Sequence, residues 1–119
     1  MSNITASLES LLTVDGAMSA ALVDSSTGML LGGVGTGIDL EAAAAGNTEV
    51  VRAKLRTVKS LGLNDTIDDI LITLSSQFHI IRPLAKMPEV FVYLVLDRAK
   101  ANLALARIKV KEIDGQLEL

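Results

Sequence analysis

Residues 91–104 read Phe91-Val92-Tyr93-Leu94-Val95-Leu96-Asp97-Arg98-Ala99-Lys100-Ala101-Asn102-Leu103-Ala104, an apolar run that meets an acid and then changes its periodicity. Because residues 91–96 do not alternate apolar with polar side chains, we predict a strand covered on both faces. We predict that the carboxylate of Asp97 then caps a terminal helix by accepting N–H groups of its first turn. Apolar residues recur beyond it at spacings of four and three, as in an amphipathic helix: Ala99, Leu103, Ala106, Val110, Ile113 and Leu117. A doubly covered strand followed directly by a helix indicates one sheet with helices on both faces.

The composition predicts one soluble domain over residues 1–119. Half of the residues are hydrophobic but only 3% are aromatic, so the core is aliphatic. The chain has no cysteine, which excludes disulfides and thiolate metal sites and is compatible with a reducing cytoplasm. A net charge of -3 and the lack of a basic run argue against nucleic acid as a partner. The first residues lack a signal-peptide pattern and no apolar run is long enough to span a membrane, so we expect a cytoplasmic protein without membrane insertion.

Periodicity and turn residues predict the order helix, two strands, helix, three strands, helix. The first helix carries Ile4, Leu8, Leu11 and Leu12, and it begins after Ser2 or Asn3. We predict strands at 17–23, 29–34, 67–75, 78–83 and 90–96, with a turn at 24–28. Strands joined by such short turns are antiparallel neighbours, so the fold class is α+β. The second helix crosses one face of the sheet and leaves the other face for the two terminal helices.

The second helix is predicted from a cap at Asp39 to about residue 62. Its predicted core stripe consists of Leu40, Ala44, Asn47, Val51, Leu55 and Val58. A flanking stripe has small side chains that allow another backbone to approach: Ala42, Ala43, Ala45 and Gly46. A third, polar face is predicted to carry Glu41, Thr48, Arg52, Arg56 and Lys59.

No pattern in the sequence predicts catalytic chemistry. The glycine-rich segment 32–37 lies between a strand and a helix, but it lacks the Lys-Ser or Lys-Thr of a phosphate loop, and we interpret it as a flexible connection. His79 is the only histidine, and with Asp68 and Asp69 it forms neither a metal-site spacing nor a triad. We interpret the two aspartates as gatekeeping charges before an apolar strand. We predict that Tyr93 belongs to the core. The acids of the last helix are predicted to be solvated: Glu112, Asp114 and Glu118. We therefore expect no catalytic residue, no metal and no cofactor.

The strand at 67–75 is predicted to lie at an edge of the sheet. It begins the second group of strands and has one sequence neighbour, so its other side is free. Its centre is apolar and has neither proline nor lysine, which monomeric proteins avoid at a free edge. We therefore predict that the edge pairs with a second copy through Ile70, Leu71, Ile72, Thr73 and Leu74.

The chain also resembles the roadblock family, which contains dynein light chains and bacterial regulators of small GTPases within the roadblock/longin superfamily. The matching segments follow family order and cover most of the chain: 14–24, 28–31, 72–74, 79–84, 91–98 and 101–107. The resemblance implies a profilin-like sandwich with strand order 2-1-5-4-3. It also implies homodimers that join their third strands and pack their second helices together, here through Ala42, Ala43, Ala45 and Gly46.

The family resemblance implies a non-catalytic partner of a Ras-like small GTPase, in some members a stimulator of GTP hydrolysis, and it supplies no active-site residue. Its second helix contacts the GTPase in some members, which here indicates Glu41, Arg52, Arg56 and Lys59. Other roadblock-domain proteins are further candidate partners. Two alternatives stay open from the sequence: a structural subunit of a motor or scaffold, and a module that senses a small molecule. The low aromatic content argues against the second alternative.

Overall fold

The computed structural model describes residues 2–119, and Met1 lies outside the described residues. The element order is that predicted: α1 Ile4–Leu11, β1 Ala17–Asp24, β2 Met29–Gly35, α2 Leu40–Ser60, β3 Ile70–Thr73, β4 Gln77–Pro83, β5 Val90–Asp97 and α3 Leu103–Gln116. The five strands form one antiparallel sheet in the order β2-β1-β5-β4-β3. Fold class and strand order are therefore confirmed.

The central strand β5 is covered on both faces, as its unbroken apolar run predicts. Its residues Val90 to Leu96 are at most 4% exposed. Alternate side chains enter two separate clusters. Leu94 and Leu96 pack with α1 and α3, whereas Tyr93 and Val95 pack beneath α2. The helices consequently cover opposite faces, α2 on one and the two terminal helices on the other.

The predicted cap at Asp97 is wrong, because α3 begins five residues later. The Asn102 side chain accepts the N–H of Leu105 at 3.1 Å and is the N-cap of α3. Asp97 instead closes a turn, in which its carboxylate accepts the N–H of Ala99 at 3.0 Å. Ala99 is exposed and precedes the helix, so it does not belong to the apolar stripe. The buried part of that stripe is Ala106, Val110 and Ile113.

The glycine-rich segment is mostly strand rather than a flexible connection. Gly32 and Gly33 lie within β2, where α1 and α2 approach the strand closely. A Cβ at Gly32 would lie 2.6 Å from a methyl group of Ile4, and one at Gly33 would lie 2.8 Å from a methyl group of Leu40. Only residues 36–39 connect β2 to α2. The glycines therefore allow helices to pack against this strand, which is a structural role.

Four further predictions need correction. β3 has only four residues, since the segment before Ile70 makes no ladder with β4. On α2, Thr48 is buried rather than on the polar face, and its hydroxyl donates to the Ala44 carbonyl at 2.7 Å. Leu55 is 41% exposed rather than core, because it lines an open pocket beside the end of β4 instead of packing in the cluster under α2. Asp114 is not solvated but pairs with Arg82 at 2.7 Å, with its side chain 7% exposed.

Candidate interaction surface

The sheet has two edges, and they differ in how well they are protected. The β2 edge contains a β-bulge. Leu22 and Val23 of β1 lie opposite Gly32 and Leu30 of β2, so Leu31 of β2 is the extra residue. A bulge twists an edge away from regular pairing. β3 has an unbroken register with β4, from Ile70 opposite Ile81 to Thr73 opposite Phe78. The β3 edge is therefore the one that can accept another strand in regular register.

Side chains of β3 alternate between the two faces of the sheet. Ile70 and Ile72 are half-buried beside the cluster under α2. Leu71 is 37% exposed on the other face, and Leu74 after the strand is 42% exposed. The predicted edge residues therefore lie together. Leu71 and Leu74 expose apolar side chains, and the outer N–H and C=O groups of β3 pair with no other strand among residues 2–119.

An apolar groove separates α2 from the segment that leads into β3. The backbone of α2 lies closest to β1 and β2, and a groove stays open on the β3 side of this face. The groove has a volume of about 660 Å³, and its walls include Val50, Ala53 and Thr57 on one side and Ile67 and Ile70 on the other. Val50 is 38% exposed, which is high for an apolar residue near the middle of a helix.

The stripe of small residues on α2 splits between two environments. Ala42, Ala45 and Gly46 are exposed, and a Cβ added at Gly46 would meet no other atom within 4 Å. Ala43 is half-buried and packs against the cluster under the helix. The exposed members leave the outer face of α2 shallow enough for a second helix to approach.

The charged residues of α2 also differ in their surroundings. Arg52 donates to the Ser26 carbonyl in the β1–β2 turn at 2.8 Å and lies 3.7 Å from the Glu49 carboxylate. Glu41, Arg56 and Lys59 are exposed, and none of them makes an ion pair within residues 2–119. Arg52 therefore has a structural partner, whereas Arg56 and Lys59 present their charge to solvent.

A polar network under α2 was not predicted from the sequence. The His79 ring accepts or donates at both nitrogens, with Nδ1 2.9 Å from the Tyr93 hydroxyl and Nε2 2.8 Å from Oε1 of Gln77. Asn47 of α2 approaches the same Tyr93 side chain. Burial lowers the pKa of His79 and raises the pKa of Tyr93. The sequence signal was the spacing of Gln77 and His79, which puts both side chains on one face of a strand.

The hydrogen bonds of this network join β4 to β5, and Asn47 of α2 lies beside them. The sole histidine is hydrogen-bonded at both ring nitrogens. Among residues 2–119, no three histidine, cysteine or acidic side chains come together as they would around a metal ion. No described helix is both long and apolar enough to cross a membrane.

Comparison with solved structures identifies the fold. Neither a protein-family model nor a curated protein matches the chain. Myxococcus xanthus MglB superposes with a TM-score of 0.83 at 21% identity, covering 95% of this chain and 89% of that one. A roadblock/LC7 domain from Streptomyces avermitilis gives 0.81 at 12% identity, with 92% and 90% covered. The gliding protein MglB of Thermus thermophilus gives 0.73 at 18% identity, with 95% and 89% covered. The chain therefore has the roadblock/LC7 fold over nearly its whole length.

Proposed function

We propose that this chain is a homodimeric, non-catalytic regulator or adaptor of a Ras-like small GTPase in the cytoplasm. The observation that supports this most is the whole-length fold match with MglB of Myxococcus xanthus and of Thermus thermophilus, the second of which is described as a gliding protein. The roadblock resemblance in the sequence implies the same partner class. The proposal includes a regulator that stimulates GTP hydrolysis by its partner.

The dimer that we propose joins two copies along β3. Two β3 edges pair antiparallel into a continuous sheet, which satisfies the free backbone groups of both strands. Each α2 then lies beside the open groove of the other copy, with the exposed small residues Ala42, Ala45 and Gly46 at the contact. The regular β3 register and the apolar groove support this arrangement.

We propose that the GTPase contacts the charged face of α2. Its accessible members are Glu41, Arg56 and Lys59, while Arg52 also supports the β1–β2 turn. Two exposed cations suit a partner surface that carries acids, and such pairs act mainly on specificity and association rate.

The test is calorimetric titration of the chain into each Ras-like GTPase of the same cell, loaded with GDP or with a GTP analogue. We expect tighter binding to the GTP-loaded state, since a regulator shifts a switch only by binding its two states with different affinity. Arg56→Glu with Lys59→Glu should weaken binding by about tenfold or more. The matched control is Lys86→Glu with Lys100→Glu, which removes the same charge from exposed sites outside α2.

Two results would contradict the proposal in different ways. Absence of heat in both states for every such GTPase favours the scaffold alternative. Equal losses from the α2 variant and the control would leave GTPase binding in place but move its contact elsewhere. We expect the chain alone to hydrolyse no nucleotide. The rate of GTP hydrolysis by the GTPase, measured with and without the chain, tests for stimulation. Native mass spectrometry of the purified chain checks the ligand-sensing alternative.

A further inference from the structure

An apolar pocket with an acidic rim lies beyond the end of β4. Its volume is about 220 Å³, and it is enclosed by the C-terminal half of α2, the segment 65–68 and the loop 83–88. Leu55, Ile67 and Pro88 contribute apolar walls, and Asp65 and Asp68 lie at the rim. Neither aspartate makes an ion pair within residues 2–119. Arg82 also lines the pocket, but its guanidinium is already paired with Asp114 at 2.7 Å. The two unpaired aspartates therefore make the pocket complementary to an apolar side chain with a cation beside it.

The outer face of α3 carries a ridge with that chemistry. Leu105 is 58% exposed and Ile108 is 57% exposed, one helical turn apart. Ile108 stands between two shallow grooves, one toward the segment 13–15 and one toward the segment 68–69. Lys109 and Lys111 flank it, and neither has an ion-pair partner among the described residues. Arg107, by contrast, is already bound by the Asp69 carboxylate at 2.8 and 3.1 Å.

The ridge and the pocket are neighbours on the surface. Asp68 and Arg82 line both the pocket and the groove beside Ile108. When two complementary features lie side by side on one molecule, a two-fold axis between them can insert each ridge into the other copy's pocket. Such an isologous contact is closed, so it produces a discrete assembly rather than a fibre.

We propose that the α3 ridge of one copy occupies the acidic-rimmed pocket of a second copy, and reciprocally. Ile108 enters the apolar pocket, while Lys109 and Lys111 lie against Asp65 and Asp68 of the other copy. No residue of β3 takes part, so the contact does not require pairing between β3 edges and does not rest on the proposed function, although the pocket shares Thr66, Ile67 and Asp68 with the groove beside α2. With both contacts present, two dimers join into a tetramer.

The test is sedimentation of the chain over a wide concentration range in two backgrounds. The first background is the parent chain, whose β3 edge is unchanged. The second is Leu71→Lys, which places a charge on the β3 edge to prevent strand pairing. The contact predicts a concentration-dependent doubling of mass in both backgrounds, from dimer to tetramer in the parent and from monomer to dimer in the variant. If β3 pairing is wrong, the parent starts as a monomer and still doubles, so the two proposals fail separately. No doubling in either background overturns this one.

Charge reversal and rescue identify the surface. Asp65→Lys with Asp68→Lys, and separately Lys109→Glu with Lys111→Glu, should each weaken the doubling by about tenfold. Combining all four changes should restore most of the lost affinity, because the pairs are re-formed with opposite signs. Ile108→Asp should abolish the doubling. Glu9→Lys with Glu118→Lys changes net charge as much as the first pair and serves as the control. Failure of the combined variant to recover, or equal weakening by the control, overturns the contact.

Discussion

At the scale of single residues, side-chain hydrogen bonds determine where elements begin. Asp39 and Asn102 each accept N–H groups of the helix that follows, whereas Asp97 serves a turn. An apolar run followed by an acid thus indicated the end of β5 correctly but placed the start of α3 too early. The sequence holds two capping residues in the stretch 97–102, and local propensity does not choose between them.

Replacement of the α3 cap should lower stability measurably. We predict that Asn102→Ala reduces the free energy of unfolding by about 1 kcal/mol, because the N–H of Leu105 loses its acceptor. Asn102→Asp keeps an acceptor and should change little. Urea titration of the two variants measures the difference. Equal losses would show that the cap contributes nothing and that Asn102 acts otherwise.

The Arg82–Asp114 ion pair should contribute more to the free energy of unfolding than the Arg107–Asp69 pair. In the first, both side chains are at most 13% exposed, and Asp114 also accepts the N–H of Ala85. Asp114→Ala leaves the Arg82 charge uncompensated and should cost about 3 kcal/mol. In the second pair the arginine is 51% exposed, so Asp69→Ala should cost about 1 kcal/mol or less. Denaturant titration measures the free energy of unfolding of both variants. Similar decreases in the two would contradict the difference in burial between the pairs.

His79 should make stability depend on pH in a defined direction. Burial lowers its pKa in the folded chain below the ordinary 6.5, so between these values the unfolded chain binds more protons. Stability therefore rises as pH increases through that window and is lost as pH falls through it. His79→Gln should flatten the part of the curve that lies below about pH 6.5 and above the range in which carboxylates titrate. An unchanged slope in the variant would assign the effect to another group.

At the scale of elements, the β3 edge is the feature with the clearest consequence. We predict that Leu71→Lys produces a monomer that stays folded, because the side chain is 37% exposed while a lysine at the edge opposes strand pairing. Leu31→Lys is the matched control: this leucine is 43% exposed at the other edge, in the β2 bulge. Light scattering should give a monomer for the first variant and a dimer for the second. A dimer for both would remove β3 from the interface.

Elements were predictable where one periodic signal dominated. The apolar run of β5 specified a doubly covered strand, and the stripes of the helices specified which faces they bury. The prediction failed where partners distant in sequence decide. Gly32 and Gly33 are needed in β2 because Ile4 and Leu40 pack where a Cβ would stand. Leu55 is exposed because it lines an open pocket beside the end of β4. The network of Gln77, His79 and Tyr93 joins two strands that are distant in sequence, and no local pattern contains such a network.

At the scale of the whole molecule, stability and association should be coupled. If the native state is a dimer, mass action stabilises it as protein concentration rises. A hundredfold increase in concentration is worth about 2.7 kcal/mol per dimer, or about 1.4 kcal/mol per chain. For a chain of this size that shift raises the unfolding midpoint by about 5 °C.

We therefore predict that the thermal midpoint of the parent rises by about 5 °C over a hundredfold increase in concentration. Leu71→Lys should show a smaller rise or none, since it removes the β3 contact from the linked equilibrium. Differential scanning calorimetry at the two concentrations measures both. A midpoint that is independent of concentration in the parent would mean that the chain unfolds as a monomer. In that case a GTPase would meet one α2 face rather than two related by symmetry, and one GTPase per chain would be the expected binding ratio.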